Sequence, residues 1–186
     1  MKSKLYILIL LLLTAFFNLN AQQTHRFTAS VSGGPNYYFN NIRTFRDGVK
    51  PLNYSFFARI MWDSKYLVAL GVEIGYNKYY RAEDDKAENI KATLAAIPFH
   101  LVIGMRLTKG FYTNFSFGPS ILFNRAQAGD NMVNNRILSF ADGSLAVGYK
   151  RILNKKFSFG AELKFNFSTK AEDMNIAVPI ILSYRL

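Results

Sequence analysis

The chain has 186 residues, with 23 Lys and Arg against 12 Asp and Glu, half of its residues apolar, and no cysteine. Without cysteine there is neither a disulfide framework nor a thiolate metal site. The basic excess points to an anionic partner, but no basic helix or run of lysines accompanies it, so nucleic acid is not the expected one.

Lys2 and Lys4 precede an apolar run over 5–17, and Ala21 stands before Gln22. That order is a secretory signal peptide, so residues 1–21 are expected to be removed on export. Thirteen apolar residues fall short of the roughly 20 that a membrane-spanning helix needs. No cysteine follows the cut, which excludes a lipid-anchored lipoprotein. Residues 22–186 remain as one domain, with 21 basic against 12 acidic side chains and a net charge near +9.

From there the sequence alternates with a period of two, and eight strands are predicted, over 26–39, 53–62, 66–76, 95–107, 111–124, 137–151, 156–168 and 175–186. The strand over 66–76 sets Tyr66, Val68, Leu70, Val72, Ile74 and Tyr76 on one face. Leu67, Ala69, Gly71, Glu73 and Gly75 take the other. The strand ending at Leu107 repeats the pattern, with Ile97, Phe99, Leu101, Ile103 and Met105 opposite Pro98, His100, Val102, Gly104 and Arg106.

Connections alternate in length as well: short over 63–65, 108–110 and 152–155, long and polar over 40–51, 80–91, 125–136 and 169–174. Short turns on one rim and long loops on the other are the pattern of transmembrane barrels. About 10 residues at roughly 3.3 Å each, tilted near 45°, rise about 23 Å, which matches an apolar band of about 25 Å. The predicted fold is therefore all-β: an eight-stranded antiparallel up-and-down transmembrane β-barrel with short periplasmic turns and longer extracellular loops.

Volume decides which face points inward. An eight-stranded barrel is only wide enough to be filled by side chains or to hold one small ligand. The face with Gly71, Gly75, Gly104, Gly118, Gly148, Gly160, Ala69, Ala96, Ala146, Ser116 and Ser120 is thus expected inside, and the large apolar face against lipid. Aromatics gather near the strand ends: Trp62, Tyr66, Phe111, Phe157 and Tyr184 by the short turns, Tyr54, Tyr76 and Phe123 nearer the long loops. They read as interfacial girdles.

The inward face also carries Arg59, Glu73, His100, Arg106, Glu162, Lys164, Asn166 and Arg185, joined by Asp142 and Lys150. Charges in so narrow a space should pair, since an unpaired buried charge costs several kcal/mol. The expected result is a closed polar lumen and a structural or interaction role carried by the extracellular loops, not a diffusion pore. A catalytic alternative uses His100 as base, Glu73 as its orienting partner and Ser116 as nucleophile, in a hydrolase of lipid A or phospholipid acyl esters. A third reading is an accessory subunit of a secretion or transport complex.

No cofactor or metal is expected. The acidic segment with Glu83, Asp84, Asp85 and Glu88 matches no calcium-loop spacing, and Arg43, Arg46 and Lys50 make the first loop basic. Expected partners are outer-membrane lipid and lipopolysaccharide, with loops 40–51, 80–91 and 125–136 available to a protein.

Ile97-Pro98-Phe99-His100-Leu101, running to Met105-Arg106-Leu107, is followed by Phe111-Tyr112 and Phe117-Gly118-Pro119. This pair of strands resembles the Bacteroidetes outer-membrane β-barrel family that includes PorT-like proteins. The opening strand with Gly33-Gly34-Pro35 is similar to that family's first strand. The resemblance implies a small barrel of the OmpX-like kind, exported to the bacterial outer membrane.

Overall fold

The computed structural model describes residues 26–39, 49–64, 67–84, 90–128 and 131–186. Ten strands run in chain order: β1 Arg26–Tyr38, β2 Val49–Lys50, β3 Leu52–Asp63, β4 Val68–Asp84, β5 Ile90–Arg106, β6 Phe111–Ala128, β7 Asn131–Ile152, β8 Phe157–Ser168, β9 Asp173–Ala177 and β10 Ile180–Arg185. Every pairing is antiparallel, and each long strand lies beside the next in sequence. β9 and β10 together form the last stave. They pair with β8 on one side and with β1 on the other, so the sheet closes as an eight-staved barrel. Closure leaves no open edge and pairs the backbone of every stave.

The last stave breaks at Val178–Pro179, because proline has no N–H to give the ladder. Two hydrogen bonds bridge the break: Val178 N donates to Pro35 O at 2.9 Å, and Glu162 N donates to Pro179 O at 3.0 Å. The stave predicted over 175–186 is therefore two strands.

Alternation places the faces as the sequence requires. On β3, Ser55, Phe57, Arg59 and Met61 are buried, while Tyr54, Phe56 and Ile60 are about half exposed. The outer wall continues round the barrel through Val72, Ile74, Phe99, Leu101, Phe115, Phe117, Leu145, Val147, Phe159 and Leu182. Such a belt in water would be an aggregation surface. Against hydrocarbon each of these side chains recovers about 2 kcal/mol of burial.

Two sequence expectations need correction. First, the long polar loops over 80–91 and 125–136 are mostly strand. The β4–β5 ladder continues to Asp84↔Ile90, and the β6–β7 ladder to Ala128↔Asn131. Above the membrane the outer face of a hairpin meets water instead of lipid, so alternation fades from the sequence while backbone pairing persists. Register shifts at Lys78/Tyr80 and Gly118/Ser120 break the period again, turning Tyr79 and Ala82, an odd and an even position, to the same side. The β4 stave also begins at Val68 rather than residue 66.

Second, the lumen is not lined by small residues alone. Tyr38, Phe57, Tyr79, Leu94, Tyr112 and Leu122 are buried there. Glycines make the room, because a ring lies over the bare backbone of its cross-strand partner. Phe57 pairs with Gly75, where a Cβ would come within 2.4 Å of the ring. Tyr112 pairs with Gly148, where the corresponding distance is 2.5 Å.

Candidate functional site

The middle of the lumen holds two cations and two carboxylates. Arg59 and Glu73 are direct cross-strand partners on β3 and β4, and Glu162 and Lys164 share the inward face of β8. Arg59 Nε and Nη2 donate to Glu73 Oε2 at 2.9 and 2.6 Å, and Nη1 donates to Glu162 Oε1 at 2.7 Å. Lys164 Nζ donates to Glu73 Oε1 and lies 3.6 Å from the centre of the Phe57 ring. Tyr112 Oη and Asn114 Nδ2 complete Glu162 at 3.0 and 3.1 Å. All four charged residues are at most 8% exposed. The group is neutral and hydrogen-bonded on every side, the condition under which buried charges are tolerated.

His100 lies beside this cluster but outside its bonding. Its Nδ1 is 3.4 Å from Ser116 Oγ, and its Nε2 is 3.4 Å from Ser120 Oγ. Ser116 in turn is 2.5 Å from Ser144 Oγ. Glu73 and His100 face each other in the ladder, yet both carboxylate oxygens of Glu73 are engaged by Arg59 and Lys164. The structure thus brings His100 and Ser116 together and leaves Glu73 out of their reach as an orienting acid. An outer-wall groove of about 680 Å³, lined mainly by Val31, Ile60, Val72, Ile74, Phe99 and Leu101, borders the His100 position; on the lumen side the cavity at His100 measures about 10 Å³, and that between Arg59, Met61 and Asn114 about 40 Å³. A single water needs about 10–15 Å³, so neither lumen cavity accepts a lipid ester.

Towards the long hairpins the lumen is closed twice more. Asn36 and Asn175 both donate to Asn77 Oδ1, at 3.0 and 2.9 Å, and Asn166 donates to Asn175 at 2.8 Å. Above this amide chain Tyr38, Tyr79, Leu94, Ala96 and Leu122 form a buried cluster, with Tyr38 Oη donating to Asp173 at 2.6 Å. Sequence reasoning missed Asn36, Asn77 and Asn175, although each stands on its strand's inward phase. Asp142, just below, accepts from Ser139 at 2.5 Å.

Arg106 and Arg185, expected with the central charges, lie apart from them at the short-turn mouth. Arg106 pairs with Asp63 at 3.0 Å, and Thr28 donates to the same carboxylate at 2.7 Å. Arg185 and Lys150 line a cleft of about 370 Å³ there.

At this rim Phe111 packs on Tyr149, with ring centres 4.9 Å apart, and Phe157 on Tyr184 at 5.0 Å. Trp62 is partly buried on β3 beside them, and Tyr66 lies outside the described residues. At the opposite rim Tyr76 stacks on Tyr54 at 5.9 Å, and Arg136 sits 5.5 Å over Phe123.

Beyond that rim Glu83 accepts from Lys50 and pairs with Arg81. The Lys50 hydrogen bond, more than any other influence, holds the Glu83 carboxyl below the usual carboxylate range. Arg43, Arg46, Asp85 and Glu88 lie outside the described residues. Among those described, no three metal-ligating side chains converge.

The family model for the outer membrane protein beta-barrel domain matches residues 8–178. Among solved structures the chain is similar to Ail, the attachment invasion locus protein of Yersinia pestis, with a TM-score of 0.57 and 9% identity over 89% of this chain and 100% of that one. It is also similar to Neisserial surface protein A, at a TM-score of 0.49 and 11% identity over 85% and 96% of the two chains. No curated protein matches it. At such identities the Ail likeness carries the fold alone.

Proposed function

The chain belongs to the outer membrane protein beta-barrel domain family and resides in the bacterial outer membrane; from that premise we propose that it is a non-enzymatic barrel with a sealed lumen, whose extracellular rim meets an envelope component or a partner protein. One observation carries this reading. The charged cluster, the amide chain and the Tyr38–Leu122 cluster fill successive levels of the lumen, and the gaps between them among the described residues measure about 10 and 40 Å³. Open channels belong to barrels of about 16 strands. A protein that cannot pass a solute through its middle has its rims left for recognition. The longer hairpins, β4–β5 and β6–β7, rise on the extracellular side.

Residues 1–21 are proposed to be removed on export, and the strand motifs around Pro98 and Pro119 support a place among the PorT-like and OmpX-like small barrels. Hydrolysis of lipid esters is disfavoured by geometry, because His100 faces a 10 Å³ gap and the hydroxyl next to it is shared with Ser144. In planar bilayers the purified protein is expected to give no conductance steps. A steady ohmic conductance would overturn the sealed lumen. A lipid-ester assay on the protein and its His100→Ala variant should find no activity in either; turnover that disappears in the variant would restore the catalytic reading.

A further inference from the structure

The outward face of the two extracellular hairpins holds a cleft of about 670 Å³. Its floor is made of short side chains on β5, Thr93 and Ala95, in register with Arg125 and Phe123 on β6. One wall is Lys78 and Arg81 on β4; the other is Arg125 and Arg136 on β6 and β7, and Lys91 stands at the upper end. Arg81 is paired with Glu83, and Arg125 is braced by Asn134 Oδ1 at 2.9 Å. Among the described side chains no carboxylate pairs with Lys78, Lys91, Arg125 or Arg136.

The height of the cleft is marked by its own aromatics. Lys78 lies 5.7 Å over the Tyr54 ring and Arg136 5.5 Å over Phe123, so the cations sit immediately above the girdle, where lipid headgroups lie. Below Thr93 and Ala95 the same face turns apolar, through Ile97 to Phe99 on β5 and Ile121 to Phe117 on β6. A ligand that fits is anionic at the top and hydrocarbon below, approaching from the side. Arginine favours phosphate, which its planar fork grips through two hydrogen bonds. The two basic walls stand two to three strands apart, about 10–14 Å at the usual strand spacing. That separation suits two phosphates at opposite ends of a sugar headgroup better than the single phosphate of a phospholipid.

We infer that this cleft binds the bisphosphorylated disaccharide of lipid A, one phosphate to each wall, with acyl chains descending over Ile97 and Ile121. The inference rests on the rim reading above, which makes the long hairpins extracellular. The test uses the full protein in detergent, with native mass spectrometry to measure retention of three probes: bisphosphorylated lipid A, the same lipid stripped of phosphate, and phosphatidylglycerol. Bisphosphorylated lipid A should be retained at least ten-fold more strongly than either of the others. The double variant Arg125→Gln/Arg136→Gln should lose that preference, whereas Lys109→Gln/Lys155→Gln at the opposite rim should keep it. Equal retention of the dephosphorylated lipid or of phosphatidylglycerol, or an equal loss in the Lys109/Lys155 variant, would overturn the site. A sealed lumen would survive any of these outcomes, since conductance tests it separately.

Discussion

The lumen and the extracellular rim use the same charged residue types to opposite ends. Arg59 in the lumen contacts two carboxylates, both themselves saturated, whereas Arg125 and Arg136 at the rim meet an amide and a ring. Low dielectric makes an unmatched charge at the middle of the lumen too costly to keep, so Arg59 and Lys164 are both tied to carboxylates. At the rim water and lipid headgroups solvate the charge, and cations can stay available for a ligand. Position decides whether an arginine is a strut or a contact.

The sharpest way to break that comparison is Arg59→Met, which leaves Glu73 and Glu162 facing one lysine. It should cost about 3–5 kcal/mol, read as an earlier urea midpoint in the folded band on an unboiled gel. Replacing Arg59, Glu73, Glu162 and Lys164 together by apolar residues of similar size should recover most of the loss, since a neutral ion cluster and a packed apolar core are close in energy. An unchanged midpoint in the single variant would mean that the cluster bears no structural load.

Next in size is Gly148→Ala, whose Cβ meets the Tyr112 ring at 2.5 Å. Overpacking of this kind costs about 1–3 kcal/mol, and the same gel would detect it. At the rim the expectation reverses. Arg125→Gln/Arg136→Gln should move the midpoint by less than about 0.5 kcal/mol, while partners that co-purify with the parent are lost. A large fall in stability would show the rim to be structural after all.

The smallest effect belongs to Glu83, held at the surface between Lys50 and Arg81. Its carboxyl lies below the usual range, so its contribution is complete above that range and fades as pH falls through the lowered folded value. Surface pairs of this type are worth little. Faster amide exchange at β2 on acidification is the expected sign, and it should be absent in Glu83→Gln.

Much of the fold was legible because a barrel wall repeats one rule. Between lipid and lumen each residue faces one solvent or the other, and the outer positions Val68, Leu70, Val72 and Ile74 announce that with a period of two. The rule fails where its cause ends. Above Lys78 the outer face meets water instead of lipid, so β4 and β5 run on through residues that read as loop, and the register shift there reverses the phase. Large lumen rings were hidden for a different reason. Phe57 on the inward face looks too big for an eight-stranded barrel until Gly75 is seen opposite it.

For the candidate sites, the sequence could say that Glu73, His100, Glu162 and Lys164 face inward, because facing is a property of one strand. It could not say which of them meet. That depends on register and on closure: Arg59 reaches Glu73 across one ladder, while Glu162 arrives from β8 on the far side of the sequence only because the last stave joins β1 to β8. By itself the sequence determined the strand period, the parity of turns and the apolar belt, all local consequences of a chain in contact with lipid. The tertiary structure alone decided the pairing of the charges, the water-sized lumen and the basic cleft across β4 to β7, because each joins residues that only strand pairing brings together.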